Sequence, residues 1–146
     1  MDPEILEEIL SAATICRIAM MDGELPYIVP CNYGYRDGSL FIHSATEGKK
    51  IELLKKHEPV CFEVEDAVEI AAGEQACSWT TRFRSIIGYG TMEILSNELS
   101  KQQGLEVIMA QHGAPDLIEF DPGNMSRMVI LKLTITSMTG KKSSKF

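Results

Sequence analysis

The chain reads as a mainly β protein, a β-barrel with flanking helices, and three observations carry that expectation. Two Asp-Gly turns, Asp22-Gly23 and Asp37-Gly38, separate runs of period two, which is the spacing of consecutive antiparallel hairpins. Two long alternating stretches follow at residues 83–95 and 127–138. Helical patterns are too few to carry crossovers between parallel strands. Six or so strands joined mainly by hairpins therefore favour a closed antiparallel barrel over a parallel sheet.

Each element has its own local reason. Asp2 caps a first helix with Pro3 at its first position, where a missing N–H costs nothing, and Leu6, Ile9, Leu10 and Ala13 recur on one face. From Thr14 the period changes to two, giving a strand that ends at Asp22-Gly23 and a second, from Tyr27, that ends at Arg36-Asp37-Gly38. Residues 39–44 form the third strand. A helix over 48–56 ends before Pro59, which disfavours helical backbone in the residue preceding it. Residues 60–65 alternate as a strand with one wet face does, and 72–78 read as a loop. The strand over 83–95 is interrupted at Gly88 and Gly90, the mark of a bulge or of a closely approaching ligand. Residues 96–111 read as a helix that Gly104 weakens, and 127–138 as the last strand. The expected organisation is one domain over 1–146, with the N-terminal helix in 1–13 and a polar tail at 141–146.

Composition excludes several classes. Apolar residues make up 45% and charged residues 24% of the 146, ordinary values for a globular domain. A formal net charge of −7 argues against a nucleic-acid binder, which gathers basic surface to neutralise phosphates. No apolar run reaches the length of a membrane span, and Met1-Asp2-Pro3-Glu4 lacks the basic and apolar regions of a signal peptide. The expected location is therefore cytoplasmic, with no membrane partner. Cys16, Cys31, Cys61 and Cys77 form no C-x-x-C pair and have no histidine at zinc-ligand spacing. No metal is expected, and the thiols read as reduced and mostly buried.

The residues with the most chemistry are Ser39-Leu40-Phe41-Ile42-His43-Ser44-Ala45-Thr46-Glu47-Gly48-Lys49-Lys50. A strand here runs into a helix start, where free amide N–H groups and the positive end of the helix dipole, roughly half an elementary charge, favour an anion. Lys49 and Lys50 add full charges. Ser44, Ala45 and Gly48 are small enough for the backbone to approach a ligand closely. A phosphate monoester of about −1.5 to −2 charge matches such a corner.

Two further strings flank it. Ile28-Val29-Pro30-Cys31-Asn32-Tyr33-Gly34-Tyr35 precedes, and Trp79-Thr80-Thr81-Arg82-Phe83-Arg84-Ser85-Ile86-Ile87-Gly88-Tyr89-Gly90 follows. In this order and spacing the three strings resemble the pyridoxamine 5′-phosphate oxidase-like FMN-binding split-barrel superfamily, most closely its nitroimidazole-resistance (Nim-type) branch, over about residues 13–142. The resemblance implies a six-stranded antiparallel split barrel with Greek-key order and FMN as cofactor. It places Lys49 and Lys50 on the phosphate, with Arg82, Arg84 and Ser85 as donors from a neighbouring strand. Pro30, Asn32 and Tyr33 would line the flavin ring, and Asn32 would reach its pyrimidine edge. His43 would lie beside the flavin as a catalytic proton donor, a task that the ordinary histidine pKa of about 6.5 permits.

The resemblance further implies a homodimer with cofactor sites at the interface, and an oxidoreductase that passes electrons to a small acceptor such as a nitroimidazole. A non-enzymatic flavin-binding or redox-sensing protein, and a split barrel using F420 or haem, stay open as alternatives. The chain lacks the extra N-terminal segment of true pyridoxamine phosphate oxidases, so vitamin B6 oxidation is not expected, and Cys31 stands where relatives carry an aliphatic residue. Trp79 reads as a core anchor or dimer contact, and His57 and His112 as surface or capping residues. Asn124-Met125-Ser126 matches a glycosylation acceptor only by accident, given no secretion signal.

Overall fold

In a computed structural model, which describes residues 1–114 and 119–144, Asp2 accepts a hydrogen bond from the Glu4 amide and opens α1 (Pro3–Ala12) as the sequence predicts. There follow β1 (Ile15–Asp22), β2 (Leu25–Asn32), β3 (Gly34–Arg36), β4 (Ser39–Ala45), α2 (Lys49–Leu54) and β5 (Val60–Ala71). Then come β6 (Thr80–Leu95), α3 (Glu98–Gln111), α4 (Pro122–Met125) and β7 (Met128–Lys142). The strands form one antiparallel sheet in the order β2-β1-β5-β6-β7-β4-β3. β4 lies beside β7 rather than β5, a Greek-key displacement that α2 spans.

The expectation of six strands in a closed barrel is corrected here: the described residues form seven strands with β2 and β3 at the two margins. The run expected as one strand from Tyr27 to Arg36 breaks at Tyr33. The Tyr33 amide donates to the Thr14 carbonyl, and its fully buried ring sends the hydroxyl to the Leu10 carbonyl at 2.7 Å. Gly34 then slips beneath α3, where a Cβ would lie only 2.5 Å from the Val107 carbonyl oxygen. The chain thus leaves one margin and joins the other within a single residue. A peptide link, not a backbone ladder, connects the margins.

Alternation fills the interior. Ile18, Phe62, Val64, Ile86, Leu131, Leu133, Leu40 and Ile42 face inward and are buried, together with Leu6, Ile9 and Leu10 of α1. Each fully buried aliphatic side chain contributes about 1.5–3 kcal/mol. Gly88 is needed by the same core, because a Cβ there would sit 2.4 Å from the Phe62 ring. The register shift falls between Tyr89 and Gly90, so the two strand glycines serve packing and a bulge.

Other boundaries differ. β5 runs on to Ala71 across an irregularity between Asp66 and Glu69, where Ala67 takes φ 50°. The expected loop over 72–78 contains a 3-10 turn, Ala76–Ser78. Strand β7 includes Lys141 and Lys142 of the expected polar tail, whose Lys145 and Phe146 lie outside the described residues.

Strand β2 is an edge with a built-in cap. The two-residue turn at Gly23-Glu24 makes Asp22 and Leu25 a hydrogen-bonded pair, so by alternation Pro26 and Pro30 fall opposite Met21 and Arg17 at non-hydrogen-bonded positions. There the backbone points away from β1, and proline has no N–H to present.

A buried lysine ties the last helices to the sheet. Lys101 is 7% exposed, and its Nζ donates to the carbonyls of Met125 at 2.6 Å and Met128 at 3.3 Å. Replacing it, Lys101→Met, is expected to cost about 1–3 kcal/mol, since both carbonyls lose their donor in a dry setting. Urea unfolding reads this as a lower midpoint at unchanged slope; an unchanged midpoint would show that water replaces the ammonium.

Candidate functional site

The strand-to-helix corner forms where it was expected. Gly48 adopts φ 128°, a backbone that L side chains avoid, and hands the chain from β4 to α2. Lys49, however, is already engaged: its Nζ lies 2.6 Å from Asp22 Oδ2 and 4.7 Å above the Tyr27 ring. The hydrogen bond and charge of Lys49 hold the Asp22 carboxyl below its usual range, and Asp22 raises Lys49 in return. Lys50 is half-buried, and its charge acts on the thiols of Cys16 and Cys31. The two lysines therefore lie against the β1–β2 hairpin, which also carries Pro30 and Asn32. Ser44 is buried and donates its hydroxyl to the Ala45 carbonyl at 3.1 Å, while Ala45 is exposed.

Register collects a second group on the outer face of the sheet. Asn32 stands opposite Ile15, Pro30 opposite Arg17, and Ser85 opposite Glu65. Arg17 joins the strands by reaching Glu63 at 3.0 Å and Glu65 at 3.2 Å. The next row crosses four strands as Ile28, Ala19, Cys61 and Tyr89. Ile28 is 61%, Tyr89 55% and Ile87 51% exposed. The result is a broad apolar surface edged by an amide, a hydroxyl and paired charges. Asp22, Tyr27, Arg17 and Tyr89 were not singled out from the sequence, although the period-two alternation places Arg17 and Tyr89 on this face.

Several expected site residues have partners within the chain. Arg84 bonds both carboxylate oxygens of Asp66, with Nε at 2.9 Å from Oδ1, and reaches Glu8 of α1 at 3.1 Å. Its hydrogen bond to Asp66 is the leading reason its pKa rises further. Arg82 lies 3.6 Å from Glu69, with a buried Nε that has no hydrogen-bond partner. Tyr33 is a core residue. His43 is exposed on the outer face of β4, opposite Ile130. Of the other histidines, His112 places Nε2 3.1 Å from the Tyr33 carbonyl, near the end of α3, and Trp79 is 55% exposed rather than a core anchor.

The single chain also forms a cleft of about 510 Å³ beside α3, lined by Arg36, Phe41, Glu93 and Lys132 among others, and one of about 390 Å³ between the end of α1 and the β5 irregularity. Neither contains the corner lysines. Among the described residues no group of three or more His, Cys, Asp or Glu could hold a metal ion, and no helix is long and apolar enough to cross a membrane. Chemically, the corner offers cationic contacts to an anion along the inward side of edge strand β2, and the outer side of the same strand presents an apolar surface edged by Asn32.

A single seven-stranded antiparallel sheet open between β2 and β3, with flanking helices, defines a mainly β class of domain. The sequence profile of the family described as pyridoxamine 5′-phosphate oxidase matches residues 2–142, and the chain belongs to that family. Among solved structures it is similar to a candidate 5-nitroimidazole antibiotic resistance protein from Bacteroides thetaiotaomicron, at 29% identity and a TM-score of 0.82 over 95% of this chain and 82% of the other. It shares its fold with an FAD and heme binding protein from Mycobacterium smegmatis (19% identity, TM-score 0.85, 98% and 72% covered). The flavocytochrome Anf3 from Azotobacter vinelandii is similar in the same sense (19% identity, TM-score 0.82, 98% and 68% covered). Among curated proteins none matches the sequence.

Proposed function

We propose that this protein binds FMN in sites shared by two copies of the chain and acts as an oxidoreductase on a small acceptor of the nitroaromatic type. The observation that carries the reading is that Lys49 and Lys50 lie at the strand-to-helix corner against one side of the edge hairpin, whose other side presents Pro30 and Asn32 beside exposed apolar residues, so that a ligand gripped at the corner reaches the ring surface around the edge of β2. Bound FMN would supply the two-electron chemistry, and the chain's own residues bind, orient and protonate.

The residues fit the phosphate in part. Lys50 supplies charge at the corner, whereas Lys49 must loosen from Asp22 before it contributes. Asn32 and Ser85 offer an amide and a hydroxyl to a ring edge, and the isoleucines with Tyr89 exclude water from its face. His43, exposed at the end of the same strand that enters the corner, is the residue we assign as proton donor to the acceptor. Pairing of two chains is supported by the outer face itself: Ile15, Ile28, Ile87 and Tyr89 are each at least 47% exposed, and contiguous apolar surface of this kind marks an interaction site. Val68, Ile70 and Trp79 on the β5–β6 arm are at least 55% exposed and extend it.

The test is a titration of flavin-free protein with FMN and with riboflavin, followed by fluorescence. FMN is expected to bind more tightly than riboflavin, and Lys50→Ala to weaken FMN by roughly 10- to 100-fold, the loss of one charge-assisted contact. Lys49→Ala loses less, because Asp22 already occupies that charge. Equal affinities for FMN and riboflavin would remove the phosphate from the corner. Because one structural neighbour is described as binding FAD and heme, the visible spectrum of the purified protein is the companion measurement, and a Soret band in place of flavin bands would overturn the cofactor assignment.

A further inference from the structure

Cys16 and Cys31 are direct cross-strand partners on β1 and β2. Both face the interior with Ile18, Val29 and Val64, Cys16 at 0% exposure and Cys31 half-buried. Alternation from the Gly23-Glu24 turn makes them a hydrogen-bonded pair, for which the Cα separation of about 5.5 Å is inside the range a disulfide spans, while the Cβ atoms, also about 5.5 Å apart, must draw together by roughly 1 Å as edge strand β2 shifts toward β1. The other two thiols have no such relation: Cys61 lies on the outer face and Cys77 on the exposed 3-10 turn. We propose that Cys16 and Cys31 are a modification site, a dithiol that a peroxide closes into a cross-strand disulfide tying edge strand β2 to β1.

The order of events follows from exposure. Cys31 is the thiol that solvent reaches, so its sulfur attacks the peroxide. The O–O bond breaks, one oxygen stays as a sulfenic acid, and the other leaves as water with the thiol proton. The Cys16 sulfur then attacks the Cys31 sulfur, the S–O bond breaks, and a second water departs with the Cys16 proton. Two thiols are oxidised by two electrons, and one peroxide is reduced to two waters. Burial pushes both thiols up, Cys16 further still because Cys31 is beside it, and the Lys50 ammonium works against that rise at both. Slow closure that needs sustained oxidant is the consequence, since the thiolate is the attacking form.

The experiment uses the full chain with Cys61→Ser and Cys77→Ser, which leaves only the pair, treated with hydrogen peroxide. The expected product has lost two hydrogens, about 2 Da, and resists alkylation until reduced. Trypsin cuts after Arg17 and Arg36, so it releases residues 1–17 joined to residues 18–36. The oxidised protein is expected to melt roughly 5 °C or more higher, because the link constrains the unfolded chain. Adding Cys31→Ser abolishes the linked peptide and the gain; Cys16→Ala serves as the second variant if Cys31→Ser does not fold. Recovery of Cys31 with two or three added oxygens while Cys16 still alkylates would overturn the proposal, as would two thiols unchanged by peroxide.

Discussion

Gly34→Ala is expected to lower stability by about 3 kcal/mol, at the upper end of overpacking penalties, and the melting temperature by roughly 6–12 °C for a chain of this size. A new Cβ would lie 2.5 Å from the Val107 carbonyl oxygen and 2.6 Å from the Ile108 amide nitrogen and Cα. These are backbone atoms of α3, which cannot rotate away as a side chain does. Relief requires moving α3 outward, and α3 holds Gln111, whose amide nitrogen donates to the Leu10 carbonyl at 2.9 Å and whose oxygen accepts from the Tyr35 amide at 2.6 Å. One methyl group therefore strains the place where the two sheet margins meet. Gly123→Ala is the control, because its Cβ would meet only the Asp121 carboxylate at 3.5 Å. Calorimetry giving the two variants equal melting temperatures would show that α3 yields without cost.

Arg84→Met is expected to cost about 2–4 kcal/mol, somewhat less than breaking a fully buried ion pair. The guanidinium is 15% exposed and Asp66 10%, so neither group is freely solvated and salt screens them poorly. Removing the cation strands the Asp66 carboxylate beside the β5 irregularity and releases Glu8 of α1. The loss is expected to persist at high ionic strength. Pairing Arg84→Met with Asp66→Leu is expected to recover most of it, because a carboxylate without its cation is costlier than no carboxylate. Denaturation of the single and double variants in low and high salt measures each outcome, and a single-variant loss below about 1 kcal/mol, the value of an exposed pair, would assign Arg84 to the surface.

The same residue shows where the sequence was readable and where it was not. Local rules placed α1 through Asp2 and Pro3, both hairpin turns through Asp-Gly, and the Gly48 corner. These features depend on neighbours within a few positions. The break at Tyr33 depends on contacts with Thr14, Leu10 and Val107, which no local pattern encodes, so one expected strand became two. Arg84 read as a donor to a ligand because its partners, Asp66 and Glu8, are 18 and 76 positions away. Lys49 was legible as a cation at the corner but not as the partner of Asp22, since only folding brings the turn of the first hairpin to it. Tyr89 illustrates a mixed case: alternation puts it on the outer face, but only the register shows that face to be continuous across four strands.

The prolines of β2 carry one more consequence. With amide hydrogens missing at positions 26 and 30, a foreign strand laid along that margin would find gaps in its hydrogen-bond row, so sheet-to-sheet fusion and fibril-like growth are discouraged there. An approach to that margin is left with side-chain contacts rather than a continued backbone ladder.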